Sequence, residues 1–174
     1  MNLPEEISRE RSRAQAVKLA AWVGGDAGRF RELMAVFLQD EDHNLVSRAA
    51  WIINIVAETQ PGIVLPHLAA LVGRMEAPGI PGAVKRHVMS ILQYVDIPEF
   101  LHGQVMNAGF SLLEDPEEPI AVRAFSMSVL AHLAVVYPEI KGELRLVIEN
   151  MLMLGASAGL RARARKVLKS IGNG

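Results

Sequence analysis

Apolar residues along this chain recur with a helical spacing, and the spacing itself repeats. Shifting the sequence by 38 residues superimposes Val46, Val84, Val122 and Leu160, and likewise Ala50, Val88, Ser126 and Ala164. The same shift aligns Ile53, Ile91, Val129 and Val167, followed by Ala57, Val95, Leu133 and Ile171. Offsets of 0, 4, 7 and 11 put these columns on one face of an amphipathic helix. A second set precedes the first in every period. It contains Phe30, Leu68, Met106 and Leu144, then Met34, Val72, Phe110 and Ile148, then Phe37, Met75, Leu113 and Met151. Each period is therefore two helices, A and then B.

The punctuation agrees with the period. The stretches 40–44, 77–81, 115–119 and 155–159 fall at one phase of the repeat and separate A from B. Pro66, Pro81, Pro98, Pro119 and Pro138 stand near expected helix starts, where a missing N–H costs no intrahelical bond. Asp26 and Asp96 suit N-caps, and Gly24, Gly62 and Gly155 suit helix ends. The pattern predicts an N-terminal capping helix over 4–23, then A/B pairs at 27–38/44–59, 64–76/82–95, 98–114/120–136 and 139–154/159–171. One pair cannot bury its apolar stripe alone, so neighbours must stack into an α–α superhelix. With no linker and no shift in composition, residues 1–174 read as one all-α domain and a monomer.

Composition narrows the chemistry. The chain is 51% hydrophobic, yet it has only two Trp, two Tyr and five Phe, and a single threonine, Thr59, a mix that favours helix over sheet. Cysteine is absent, which excludes thiol catalysis, disulfides and cysteine-ligated metal centres. Eighteen Lys and Arg against nineteen Asp and Glu give a net charge of −1, unlike a non-specific DNA-coating protein. The charged N-terminus has no apolar core of a secretory signal. The longest uncharged run, Ala124 to Pro138, falls short of the roughly 18 residues of a membrane span, so a cytoplasmic location is expected.

The period, the turns and the B-helix start from Val122 to Met127 resemble HEAT repeats. Ser47 to Ile53, Leu65 to Leu68, Ala121 to Met127 and Ala162 to Lys169 narrow the likeness to a family of small bacterial HEAT-like proteins. Its members carry a small residue before the Trp, then LPHL, AVKAYSM and KARARxxLK. The resemblance runs from about residue 13 to the C-terminus and departs at the short, Pro/Gly-rich second A–B connection. It implies an armadillo-type solenoid. Relatives are often labelled adenylosuccinate lyase, but that enzyme's serine-rich loop with Met, Lys and Asn-Pro has no match here, so the label is not carried over.

No catalytic or metal constellation emerges, and no cofactor is expected. Gly155 to Gly159 fits the G-x-S-x-G pattern of a nucleophile elbow, but that motif needs a strand before the serine, and here it fills a turn between helices. His43, His67, His87, His102 and His132 include no pair at i, i+4 spacing and fall at five different repeat phases. His67 is expected to cap or bond a neighbouring backbone. The acidic groups at Asp40 to Asp42, Glu114, Asp115, Glu117 and Glu118 sit where they favour the positive end of a B helix. Trp22 and Trp51 are expected to pack between helices.

The basic positions are more informative. One column reads Ser47, Lys85, Arg123 and Arg161, and the next reads Arg48, Arg86, Ala124 and Ala162. Lys85, Arg123 and Arg161 are expected to form a structural ladder with acidic turn residues of adjacent repeats, since a guanidinium can pair bidentately with a carboxylate. In HEAT arrays the B helices line the concave face. On that face we expect a partner-binding surface of Arg48, Arg86, Ser90, Gln93, Tyr94, Ser128, His132, Lys166 and Lys169. The expected function is a non-enzymatic scaffold for a protein or peptide partner. The alternative is a nucleic-acid or phosphate-binding protein using the basic helix from Arg161 to Lys169, as HEAT-like DNA glycosylases, which are longer and strongly basic, bind DNA.

Overall fold

The computed structural model describes residues 1–39 and 41–172; Asp40, one of the expected acidic turn residues, lies outside them. The chain is an all-α solenoid of helix pairs, with helices, short 3-10 turns and no strand among the described residues. Its contacts divide it into two compact units, Met1–Ile97 and Pro98–Gly174.

The first unit contains α1 (Leu3–Arg9), α2 (Arg13–Val23), α3 (Ala27–Gln39), α4 (His43–Thr59), α5 (Pro61–Val64), α6 (Leu68–Met75) and α7 (Gly82–Leu92). Helix α4 is its centre and packs against α2, α3 and α7. Its inward stripe of Val46, Ala50, Ile53 and Ala57 is fully buried, as are Phe30, Leu33 and Phe37 of α3. Asp42 caps α4 by accepting from the N–H groups of Asn44 at 2.8 Å and Leu45 at 3.4 Å.

The second unit contains α8 (Glu99–Glu114), α9 (Ile120–Val136), α10 (Lys141–Met153) and α11 (Ala158–Ile171). Helix α9 occupies the central place here, against α8 and α11. Leu113, Met127, Leu130, Leu144, Ile148, Leu160, Ala164 and Val167 form one cluster. Ser126 holds a core position with no exposure because its hydroxyl donates to the Val122 carbonyl at 2.8 Å, within its own helix.

The repeat columns are the core. Every residue of the three columns headed by Val46, Ala50 and Ile53 is buried in all four periods. Val95, Met106 and Phe110 are the half-buried departures from the other columns.

Several boundaries differ from expectation for local reasons. The N-terminal segment is two helices. Ser12 breaks it by capping α2, its hydroxyl accepting from the Gln15 N–H at 3.1 Å. The Gln15 amide then donates to the Glu6 carbonyl at 2.8 Å and ties the two helices together. The second A helix is also interrupted. Pro66 has no N–H for an i→i−4 bond, and the chain winds as a 3-10 turn over Leu65–His67 between α5 and α6. Gly62 lies inside α5 and does not end a helix. Helix α7 stops at Leu92, ahead of the expected 95, and i→i+3 bonds from Gln93 and Tyr94 carry the chain toward Pro98. Pro98, not Asp96, occupies the N-cap of α8, with no side-chain cap. The expected caps elsewhere are present. Asp26 accepts from the N–H groups of Gly28 and Arg29, and the latter bond most strongly holds its carboxyl below the usual range. Gly24 ends α2 at φ 50°, and Gly155 follows α10 at φ 90°.

Candidate functional site

A cavity of about 420 Å³ opens on the first unit, lined by Arg11, Asn44, Ser47, Arg48, Trp51, Ala83, Arg86 and His87. Two B helices build it. Asn44, Ser47, Arg48 and Trp51 follow the i, i+3, i+4, i+7 spacing of one face of α4, and Ala83, Arg86 and His87 repeat that spacing on α7. The 38-residue period brings Arg48 and Arg86 to equivalent positions on these neighbouring helices. Arg11 joins them because the chain breaks between α1 and α2. Among the described residues, no carboxylate lines the cavity. Glu10 lines a separate crevice of about 10 Å³ that shares Arg11, Arg48 and Trp51.

The three arginines are held differently. The half-buried Arg48 donates from Nη1 to the carbonyls of Ile7 at 3.2 Å and Ser8 at 2.9 Å, which fixes its guanidinium at the C-terminal end of α1. Arg86 and Arg11 are exposed. Arg86 Nη2 lies 3.4 Å from Nε2 of His87. His87 is only 7% exposed and stacks on Trp51, with ring centroids 6.4 Å apart and planes at 12°. Burial, assisted by the Arg86 charge, lowers its pKa from 6.5 to about 4, so the imidazole is neutral at pH 7. The stack also gives Trp51 its inter-helix packing role.

The other expected surface residues divide by environment. Tyr94 is 52% exposed, whereas Ser90 is 6% exposed and faces the packed side of α7, where a partner cannot reach it. Gln93 is half-buried. In the second unit, His132, Lys166 and Lys169 are exposed, while Ser128 accepts a bond from Arg163 Nη1 at 2.6 Å. Arg163 also stands over the Phe125 ring, 5.7 Å from its centroid, so this member of the basic helix is tied to α9.

Arg123 is the expected ladder residue whose contact is clearest, and its partner is a backbone. Its Nε donates to the Leu113 carbonyl at 2.9 Å, at the C-terminal end of α8, where helix carbonyls lack intrahelical donors. The neighbouring Asp115 instead accepts from the Glu117 N–H at 2.9 Å. Arg123→Ala should cost about 1–2 kcal/mol in chemical denaturation. Arg123→Lys, which keeps the charge without the planar fork, should recover only part of it. Lys85 is half-buried and Arg161 is exposed.

The remaining motifs have local structural roles. Ser157 of the G-x-S-x-G stretch caps α11, its hydroxyl accepting from the Leu160 N–H at 3.3 Å. His67 makes no cap. It packs edge-on against Phe30 at 5.2 Å between ring centroids. His102 Nδ1 lies 2.9 Å from the Tyr137 hydroxyl. Trp22 carries the Arg29 guanidinium 5.0 Å above its ring, and its carbonyl accepts from Arg29 at 2.7 Å. Among the described residues, no cluster of His, Asp and Glu has the makings of a metal site, and no helix is long and apolar enough to cross a membrane.

The family model of the HEAT repeat domain matches residues 3–171. None of the curated proteins and none of the solved structures compared with the chain matches it.

Proposed function

The chain belongs to the HEAT repeat family, and on that premise we propose that it is a non-enzymatic scaffold whose B helices hold an acidic protein or peptide segment. One observation carries this reading: Arg48 and Arg86, at the same repeat position on adjacent B helices, line an open cavity whose wall has no carboxylate among the described residues. An extended acidic segment could place one side chain in the cavity and continue past the exposed Tyr94. The family match runs through both units without a break, which supports reading residues 1–174 as one repeat domain.

Displayed peptides selected against the immobilised protein should be enriched in Asp and Glu. Arg86→Glu should abolish their retention without lowering Tm, because Arg86 is exposed. Recovery of no peptide above background overturns the reading, as does retention that survives Arg86→Glu combined with Tyr94→Ala.

The alternative, binding of nucleic acid through α11, is favoured by the exposure of Arg161, Arg165, Lys166 and Lys169 on one helix. It requires retention of duplex or single-stranded DNA that falls as salt rises. Absence of retention at low ionic strength removes it.

A further inference from the structure

The α4/α7 cavity is more specialised than a basic patch. Its volume of about 420 Å³ lies in the range of small-molecule sites, about 300–1,000 Å³. The second unit offers an instructive contrast. It has a cavity of similar size, about 410 Å³, but that one lies at the A–B turns, between the ends of α8 and α10, with Glu114 in its wall and Arg123 already bonded to a carbonyl, and not between two B helices. The positions equivalent to Arg48 and Arg86 there are Ala124 and Ala162. The cationic cavity is therefore particular to the first unit and is not a by-product of the repeat.

We propose that this cavity is a receptor site for a phosphate monoester, held by the guanidinium groups of Arg11, Arg48 and Arg86 beside the Trp51 ring. The proposal rests on the reading of the B-helix face as the binding surface and names the chemistry it recognises. A phosphate monoester has three acceptor oxygens and a charge near −2 at pH 7, whereas a carboxylate has two oxygens and a single charge. Several guanidinium forks in one cavity match the former. Arg48 is anchored by two carbonyls through Nη1, so engaging a ligand costs it little further side-chain entropy. Ala83 belongs to the first turn of α7, which has no side-chain cap and whose dipole favours an anion, whereas the N-terminus of α4 is already capped by the Asp42 carboxylate. Asn44 adds a neutral amide to the wall, while the Ser47 hydroxyl already donates to the His43 carbonyl at 2.7 Å. A nucleic-acid backbone fits less well, because a duplex needs a row of cations and the arginine column ends at Ala124.

The test is calorimetric titration of the full chain with inorganic phosphate, phenyl phosphate, a phosphoserine peptide and the same peptide with glutamate in place of phosphoserine. The phosphorylated probes should bind, and Arg11→Gln and Arg86→Gln should each weaken binding about 10- to 100-fold at unchanged Tm. These two arginines are exposed, so their loss does not threaten the fold. Arg161→Gln on α11 should leave the affinity unchanged. Phosphoserine peptide binding more tightly than phenyl phosphate places the group on a protein. The reverse order places it on a small molecule, and either result supports the site. If the glutamate peptide binds through Arg86 and the phosphorylated probes do not compete, the phosphoryl site is overturned while the acidic-peptide reading stands. Failure of all four probes overturns the phosphoryl site, with the peptide selection deciding the acidic-peptide reading separately. Phosphate binding insensitive to both arginine variants also overturns the site.

Discussion

Replacing Phe37 with alanine is expected to destabilise the protein by about 3–5 kcal/mol, the range for a large aromatic removed from a close-packed core. Phe37 has no solvent exposure and sits on the inward stripe of α3, which packs directly on α4. Because α4 also carries α2 and α7, a void beneath it weakens the centre of the whole first unit. Phe100 supplies the control within the same chain. It is 77% exposed on the first turn of α8, and Phe100→Ala should change stability by no more than about 0.5 kcal/mol. Denaturant midpoints for the two variants check the contrast. Similar losses for both would mean that Phe37 is not the core residue its column requires.

That column was legible because the period constrains each position four times over. A residue that packs in one repeat has counterparts at the same phase in the others. Phe37, Met75, Leu113 and Met151 differ in shape, yet all are buried. Periodicity does not register a break of only a few residues. The repeat columns begin at Phe30, so no column spans the gap between α1 and α2, and the segment reads as one helix. The signal for the break was Ser12 followed three residues later by Gln15, a spacing that marks a helix start. Pro66 carried a similar signal for the second A helix, since a proline beyond the first turn removes an i→i−4 bond.

The candidate site was legible to the same extent. The 38-residue shift alone pairs Arg48 with Arg86, because equivalent positions on neighbouring B helices point the same way. Arg11 escaped because it belongs to no column and reaches the cavity only through the break that the period concealed. His87 escaped for a different reason: its phase counterpart is Ala49, and an alanine gives no warning of a buried imidazole. Side-chain partners were the least legible feature. The ladder residue Arg123 was expected to seek a carboxylate, yet it ends, as Arg48 does, on a carbonyl at a helix C-terminus. Those acceptors are fixed in place and otherwise unsatisfied, whereas the turn carboxylates of Asp42 and Asp115 are already used by backbone N–H groups.

His87 makes the stability of the first unit depend on pH, and the sign follows from its environment. Its pKa is about 4 in the folded protein and 6.5 in an unfolded chain, so folding favours the neutral imidazole. The unfolded state binds the proton first as pH falls. The contribution is therefore fully present above pH 6.5, and it is lost as the medium is acidified toward pH 4. The difference corresponds to about 3 kcal/mol, a large share of the stability of an ordinary domain. Burial against Trp51 dominates, and Arg86 at 3.4 Å adds to it; Arg11 and Arg48 share the same cavity. Other groups also titrate in this range, so the measurement is a difference between two proteins. Denaturant midpoints of the parent and of His87→Gln, taken from pH 7.5 to 4.5 in buffers without phosphate, should converge as pH falls, because the variant has no imidazole to protonate. Arg86→Gln should make the total loss smaller and end it at a higher pH by weakening repulsion of the imidazolium, while the onset, set by the unfolded chain near pH 6.5, stays in place. Parallel curves for parent and His87→Gln across the window would show that His87 is not held neutral by its burial, and that the stack on Trp51 opens to water.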